Sequence, residues 1–541
     1  MIEEADYVVI GAGTAGCVVA SRLSEDPWTK VALLEAGGSD LSIWIQLPIG
    51  YGRTFFDKRI NWMFETEAVP ALGGRTSYWP RGKVVGGSGS INAMVHVRGF
   101  PHDYDAWAAA GNPGWGWDDV LPFFRRSEDH DLVDEGFHGR GGPQHVTDIS
   151  GSVHPLCNWF LETGRAMGYP VTADFNGPHG EGFGIYQINT RGGWRASTAN
   201  AYYWPVRHRQ NLTLIRKARV LRVVFEGRRA VGVAYIQGGR ERVIRARREV
   251  VLCAGAIGSP QLLQLSGVGD AQLLMRHGIP VVADLPAVGR NLQDHLAVSY
   301  FYRTSVPTLN NVLRPFTGKL AAAIRYMIDR RGPLSMSVNQ AGGFVRARPE
   351  DPHPTFQLYF SPVSYTKTPI AARRLLNPDP FPAFLLSFNA CRPTSRGHLE
   401  IRSADPFAPP LIHPNYLATE QDIAEARIGV RLLRTIARSK PLADIIVEEL
   451  VPGPAVADED ALFADFRARA DTVYHPTSTC RMGPDPRDAV VDARLRVHGV
   501  QGLRVIDASV FPQVTSGNTN APTVMVAEKG AAMLAQDRNL R

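Results

Sequence analysis

An α/β fold in which strand–turn–helix units from both ends of the chain build one sheet is what the sequence predicts, and three observations predict it. Asp6-Tyr-Val-Val-Ile-Gly-Ala-Gly-Thr-Ala-Gly16 reads as a strand running into a glycine turn and then a helix. Residues 249–253 run into a second small-residue turn, Ala254-Gly-Ala-Ile-Gly-Ser259. After a long region of different texture, the chain returns to a strand at 503–507 and a closing helix at 519–536.

The first unit carries a ligand signature. The apolar strand 7–10 precedes it and a helix over 15–23 follows. Gly11 permits the tight turn, Gly13 lets the backbone approach a pyrophosphate, and Gly16 lets the helix pack closely on the strand. The phosphate then meets a positively polarised helix N-terminus. Glu35 closes the apolar run 30–34, where a carboxylate takes both hydroxyls of an adenosine ribose and repels a 2′-phosphate. FAD or NAD fits better than NADP.

The second feature is the run Arg81-Gly-Lys-Val-Val-Gly-Gly-Ser-Gly-Ser-Ile-Asn-Ala-Met-Val-His-Val-Arg-Gly99, with five glycines. Few packed elements tolerate that many, so something flat or charged approaches its backbone. Gly86, Gly87 and Gly89 leave amides free to face a pyrophosphate or a ring edge, and Asn92 offers a side-chain hydrogen bond. Val84, Val85, Ile91, Met94 and Val95 argue that the loop is buried rather than a mobile surface loop.

Further along, residues 221–225 and 230–236 alternate around a turn at 226–228, as in a meander returning to the sheet. The arginines at 245–248 precede the strand 250–253 and read as a solvated, gatekeeping face. The helix after this strand is expected to take Ser259 as cap and Pro260 in its first turn. From 301 to 470 the texture is proline-rich, with strands at 356–360 and 384–388 and an amphipathic helix at 420–439, as in a substrate domain. The apolar stretch 320–327 contains Arg325 and reads as a packed helix rather than a membrane anchor.

Composition narrows the function class. A chain of 541 residues, 44% apolar and 21% charged, folds into two or more domains and is not disordered. Its 59 basic and 52 acidic residues are scattered without interleaved aromatics, which argues against a nucleic-acid surface. The five cysteines lack metal or disulfide spacing, so no metal is expected and a reducing, cytoplasmic compartment fits. No stretch approaches the ~18 apolar residues of a bilayer span. A peripheral membrane contact through a few exposed apolar side chains stays compatible with the sequence.

Near the C-terminus, Tyr474-His-Pro-Thr-Ser-Thr-Cys-Arg-Met-Gly483 sets His475 beside a proline, and Ser516-Gly-Asn-Thr-Asn-Ala-Pro522 places Asn518 just before the closing helix. By residue type alone a lone histidine is more often structural. The two segments could converge on one site, with free helix amides facing the pyrimidine edge of a flavin.

With these residues in place, the chain resembles the glucose-methanol-choline (GMC) family of flavoprotein alcohol oxidoreductases from Asp6 to about Met533. Residues 81–99 are similar to the family's first signature and Gly255-Ala-Ile-Gly-Ser-Pro-Gln-Leu-Leu-Gln-Leu-Ser-Gly-Val-Gly269 to its second; Val288-Gly-Arg-Asn-Leu-Gln-Asp-His295, the His475 segment and 507–522 match further blocks. The resemblance implies an α/β chain, α+β overall. It has a doubly wound, Rossmann-like FAD domain (1–155, 195–300 and 471–541) and a substrate domain built on an antiparallel sheet (156–194 and 301–470).

The resemblance also implies that His475 is the catalytic base and Asn518 holds the substrate hydroxyl while hydride leaves for the flavin. FAD is expected to touch Gly11, Gly13, Thr14, Ala15, Gly16, Glu35, Ala36, Arg81, Val85, Gly86, Gly87, Ser88, Asn92, Ala93, Met94, Val95, Val220, Ala254, Gly255, Asp507, Ala508, Asn518 and Thr519. Some members attach FAD covalently through a histidine just before that asparagine. Here the position is Ile91, so noncovalent FAD is expected, with His96 structural. Choline-type members carry a glutamate in the block that reads Val338-Asn-Gln-Ala-Gly-Gly-Phe344 here, and uncharged Gln340 disfavours a trimethylammonium substrate. A neutral primary or secondary alcohol is expected, with a quinone or other acceptor taking the electrons. The rivals are an oxygen-using oxidase and a hydroxynitrile lyase that keeps flavin only as structure.

Overall fold

The computed structural model describes residues 3–132, 136–366 and 377–539, and two sheets organise them. The parallel core of the first runs Leu212–Arg216, Val31–Glu35, Glu4–Ile10, Arg240–Leu252 and Leu503–Val505 across the sheet. Strand Val31–Glu35 is buried throughout, as a strand covered on both faces must be. The helix Thr14–Leu23 packs on the closing helix Asn520–Asn539, which in turn packs on Trp117–Ser127.

Strand Arg240–Leu252 changes partners along its length. Residues 240–245 pair antiparallel with 232–237 and so join the meander of Arg229–Gln237 and Arg219–Glu226, whereas 250–252 pair parallel with 503–505. The arginines at 245–248, expected ahead of the strand, therefore lie inside it. Arg245 and Arg247 are exposed on either side of buried Ala246, so their charge marks the wet face of a strand rather than its end.

The following helix, Gly255–Leu265, also departs from expectation. It begins before Ser259, which puts Pro260 in its second turn. Proline has no N–H for the carbonyl of Ala256. The Thr479 hydroxyl, from a distant segment, donates to that carbonyl instead at 2.7 Å. Ser259 Oγ is engaged elsewhere, donating to Asp507 Oδ2 at 2.6 Å.

The second sheet has eight strands, ordered Ile446–Val451, Leu296–Thr304, Ala383–Ala390, Phe356–Ser361, Ala341–Val345, Gly182–Ile185 and Val171–Thr172, with Asp471–Thr472 against the start of Leu296–Thr304. All pairings but the last named pair of the main path are antiparallel. Helix Glu420–Arg438 covers Ala383–Ala390 so closely that a Cβ on Gly429 would stand 1.9 Å from the Phe388 ring. Strand Leu296–Thr304 lies wholly in this sheet, so residue 300 falls mid-strand.

Helix Phe316–Asp329 is the other departure. It buries Ala322 and Tyr326 but exposes Phe316, Leu320, Ile324, Met327 and Ile328, so the expected packed helix leaves its apolar stripe outward.

Candidate active site

A cavity of about 1280 Å³ is walled by both sheets. It exceeds the ~300–1,000 Å³ of an ordinary small-molecule pocket, leaving room for a dinucleotide and a substrate together. The residues expected at the cofactor line it, except Gly16, Val85 and Gly86, which stand behind the wall. Each of these three has a packing reason. A Cβ at Gly16 would meet Gly11 O at 1.8 Å, Val85 is fully buried, and Gly86 N donates to Ala12 O at 2.7 Å.

The nucleotide end is built backbone against backbone. Gly11 has φ +95°, and a Cβ there would stand 2.7 Å from Cys253 O. A Cβ on Gly87 would come within 2.7 Å of Gly13 Cα, so the first glycine turn and the 81–99 loop form one cradle. Glu35 accepts from Ala12 N (3.0 Å) and Gly37 N (2.7 Å), yet burial pushes its carboxyl up to about 7. Hydroxyl donors from a ribose would favour the charged form, which fits the adenosine end of FAD.

At the other end stands His475, buried between three supports. Its N–H donates to Asp294 Oδ1 at 2.7 Å, and the preceding Tyr474 is held at φ +71° with its carbonyl accepting from Arg81 Nη2 at 2.6 Å. That left-handed tyrosine costs about 1–3 kcal/mol and persists because both neighbours fix it. Asp294 also accepts from the Thr472 and Tyr416 hydroxyls, while burial raises its carboxyl to about 6.

The ring is fixed by a chain of donors that determines its tautomer. His295 Nε2 is 2.9 Å from the Cys391 carbonyl, which can only accept, so His295 carries its proton there. Its Nδ1 is then an acceptor, and His475 Nδ1, 2.9 Å away, is the donor. The lone pair of His475 therefore sits on Nε2, facing Asn518 Nδ2 at 3.2 Å. Burial, with lesser contributions from His295 and Arg81, pulls the His475 pKa well below that of an ordinary histidine, so the ring is a neutral base. Asn518 is oriented in turn, because its Oδ1 accepts from Gln357 Nε2 at 3.1 Å.

Sequence reasoning brought His475 and Asn518 toward one site but gave no roles to Gln293, Asp294, His295 or Gln357. The signal was the Gln-Asp-His run ahead of an apolar strand. Gln293 Oε1 accepts from Val514 N at 3.1 Å and its Nε2 donates to Pro393 O at 2.7 Å, so these three consecutive residues tie down the loops around position 475.

Gln340 is a correction. It turns away from the cavity, accepting from His154 N at 2.7 Å, while Val338 and Asn339 line the wall. His96 is engaged by Glu128 (3.0 Å) and Asn189 (3.1 Å), outside the cavity lining. Among the described residues, His130, His138 and Asp174 could reach one metal ion. His138 already pairs with Asp174 at 2.6 Å, and the Arg98 guanidinium lies 3.3 Å from its other nitrogen, which disfavours a second cation there.

Comparison with known proteins agrees with this architecture. Residues 5–297 and 393–527 match the N- and C-terminal parts of GMC oxidoreductase. An alcohol dehydrogenase [acceptor] of Pseudomonas putida is 42% identical, over 98% of this chain and 96% of its own. The mitochondrial choline dehydrogenase of Mus musculus is 44% identical over 98% and 89%. Among solved structures, pyridoxine 4-oxidase from Mesorbium loti superposes with a TM-score of 0.88 at 32% identity, covering 98% of this chain and 99% of that one.

Proposed function

Since the chain belongs to the GMC oxidoreductase family and is an FAD-dependent enzyme acting on CH–OH groups, we propose the following division of labour among its residues. Glu35 holds the adenosine ribose, the turn at Gly11 and Gly13 faces the pyrophosphate, and the loop through Asn92 to Val95, with Asn518 and Thr519, borders the flavin. Bound FAD supplies the hydride acceptor and later passes the electrons on.

His475 Nε2 takes the proton of the substrate hydroxyl, and the Asn518 amide donates to the oxygen as its charge develops. Exclusion of water at buried His475 strengthens that interaction. The observation that carries this reading is the fixed tautomer: the only open nitrogen of His475 faces the amide of Asn518. The flavin is held noncovalently, because Ile91 replaces the linking histidine and His96 is occupied by Glu128.

The substrate is a neutral primary or secondary alcohol, seated against Phe55, Val338 and Leu385, which line the cavity. The electrons go to a quinone or another acceptor. Such an enzyme works in the cytoplasm at or near a membrane surface; among the described residues no helix is long and apolar enough to cross a membrane. An anaerobic screen of alcohols, scored by flavin bleaching and followed by turnover with dye against air, tests all three points. Rapid peroxide formation without a dye would make the enzyme an oxidase. Aldehyde release from a cyanohydrin with the flavin still oxidised would make it a lyase.

A further inference from the structure

Five of the thirteen exposed large apolar side chains of the described residues, Phe316, Leu320, Ile324, Met327 and Ile328, sit on the single helix Phe316–Asp329. At 3.6 residues per turn they fall within an arc of about 120°, forming one stripe. The opposite face buries Ala322 and Tyr326, and Tyr326 is pinned by its hydroxyl donating to Gly193 O at 2.9 Å. The helix is thus anchored by one side and bare on the other. Its surroundings are basic: Arg314, Lys319, Arg325, Arg330 and Arg331 stand against one acid, Asp329, which Arg325 approaches at 3.8 Å, while Arg330 lies over the Trp194 and Tyr326 rings and Arg314 donates to Pro378 O at 2.9 Å. After the helix the chain runs through Pro333–Ser335 to Val338 and Asn339, which line the substrate wall of the cavity.

We propose that helix Phe316–Asp329 is a lipid-binding element that seats the enzyme on an anionic membrane surface, its apolar stripe among the acyl chains and Lys319 and Arg331 at the headgroups. An apolar face flanked by cations is what an interfacial helix presents to anionic lipid. A second copy of the chain suits the stripe less well. A helix of 14 residues is about 21 Å long, and one face of that length falls short of the roughly 800 Å² per partner of a stable dimer. A two-fold contact would also bring the basic flanks of both copies together. The proposal extends the reading of a quinone-linked enzyme, but membrane binding and turnover are measured separately and can fail separately.

The test is co-sedimentation of holoenzyme with vesicles of phosphatidylcholine, with and without phosphatidylglycerol. Two variants accompany the wild type: Phe316→Ser with Ile324→Ser and Ile328→Ser, and Lys319→Glu with Arg331→Glu. The wild type is expected to sediment with the anionic vesicles. The apolar variant should bind them on the order of a hundredfold more weakly, and the charge variant should lose roughly tenfold or more on anionic vesicles alone. Both should keep flavin content and dye-coupled turnover of a water-soluble alcohol. Wild-type protein left in the supernatant, or variants that sediment equally well, would overturn the proposal. So would a wild-type dimer in light scattering that the serine variant dissociates, since the stripe would then belong to a second copy.

Discussion

His295 and His475, 180 residues apart in sequence, meet Nδ1 to Nδ1 at 2.9 Å, and the Cys391 carbonyl behind His295 decides which of the two carries the proton. A carbonyl oxygen outside the cavity thereby determines which nitrogen of His475 is the acceptor inside it.

Removing the base tests the assignment directly. His475→Ala is expected to slow anaerobic flavin reduction by alcohol by on the order of a hundredfold or more while FAD content stays normal. Stopped-flow absorbance at the flavin band measures it; an unchanged rate would refute the role of His475.

His295 acts through His475, so its removal should leave a different mark. His295→Leu takes away the acceptor for His475 Nδ1–H and one of the groups that hold the His475 pKa down. Flavin reduction is expected to fall about tenfold or more, and the acid limb of its pH profile should move to higher pH. A slower rate with an unmoved limb would mean that His295 only fills space.

The wild-type pH profile has a defined sign. As the proposed base His475 must be unprotonated, and burial holds its pKa well below the ordinary 6.5, so reduction at saturating alcohol should stay level through neutral and alkaline pH. It should decline only on the acid side of 6.5. An acid limb centred above neutrality would contradict the buried, neutral imidazole.

Asn518→Ala removes the proposed donor to the substrate oxygen and one of the two acceptors of Gln357 Nε2, which keeps the Tyr186 hydroxyl at 3.2 Å. A loss of roughly ten- to a hundredfold in reduction rate is expected, with Asn518→His, which keeps a donor, recovering most of it. Equal rates in the two variants would argue against hydrogen-bond donation at this position.

Stability depends on another buried group. Arg504, with no exposed surface, bridges Glu249 and Asp537 and so ties two parallel strands to the closing helix. Arg504→Ala takes the buried cation from Glu249, while Asp537 keeps Arg494 and Arg496, and is expected to cost about 3 kcal/mol in urea unfolding.

Much of this was legible in the residues. The parallel strands Glu4–Ile10 and Val31–Glu35 are bounded by a glycine and an acid at positions that suit both a nucleotide and the turn itself, so local chemistry and fold coincide. Less local facts were not legible. The strand Arg240–Leu252 reads as a charged stretch ahead of a short strand because half of it has one wet face. Pro260 leaves the Ala256 carbonyl without a helical donor, and the hydroxyl that satisfies it comes from residue 479, far off in sequence. Gln340 pointed to a substrate contact, yet it is held by the backbone N–H of His154 while Val338 and Asn339 line the cavity instead. The open side of Phe316–Asp329 could not be read either, since an amphipathic pattern does not reveal whether anything covers it.

The first glycine turn and the residues that complete its cradle, Asp507 and Thr519, are separated by nearly the whole chain, and Thr14 Oγ1 meets Asn520 Oδ1 at 3.0 Å. During synthesis on the ribosome the cradle around the first strand therefore stays incomplete until residues 507–520 emerge. Nascent chains of this enzyme should be long-lived clients of chaperones, and starving cells of flavin should deplete the protein itself as well as its activity.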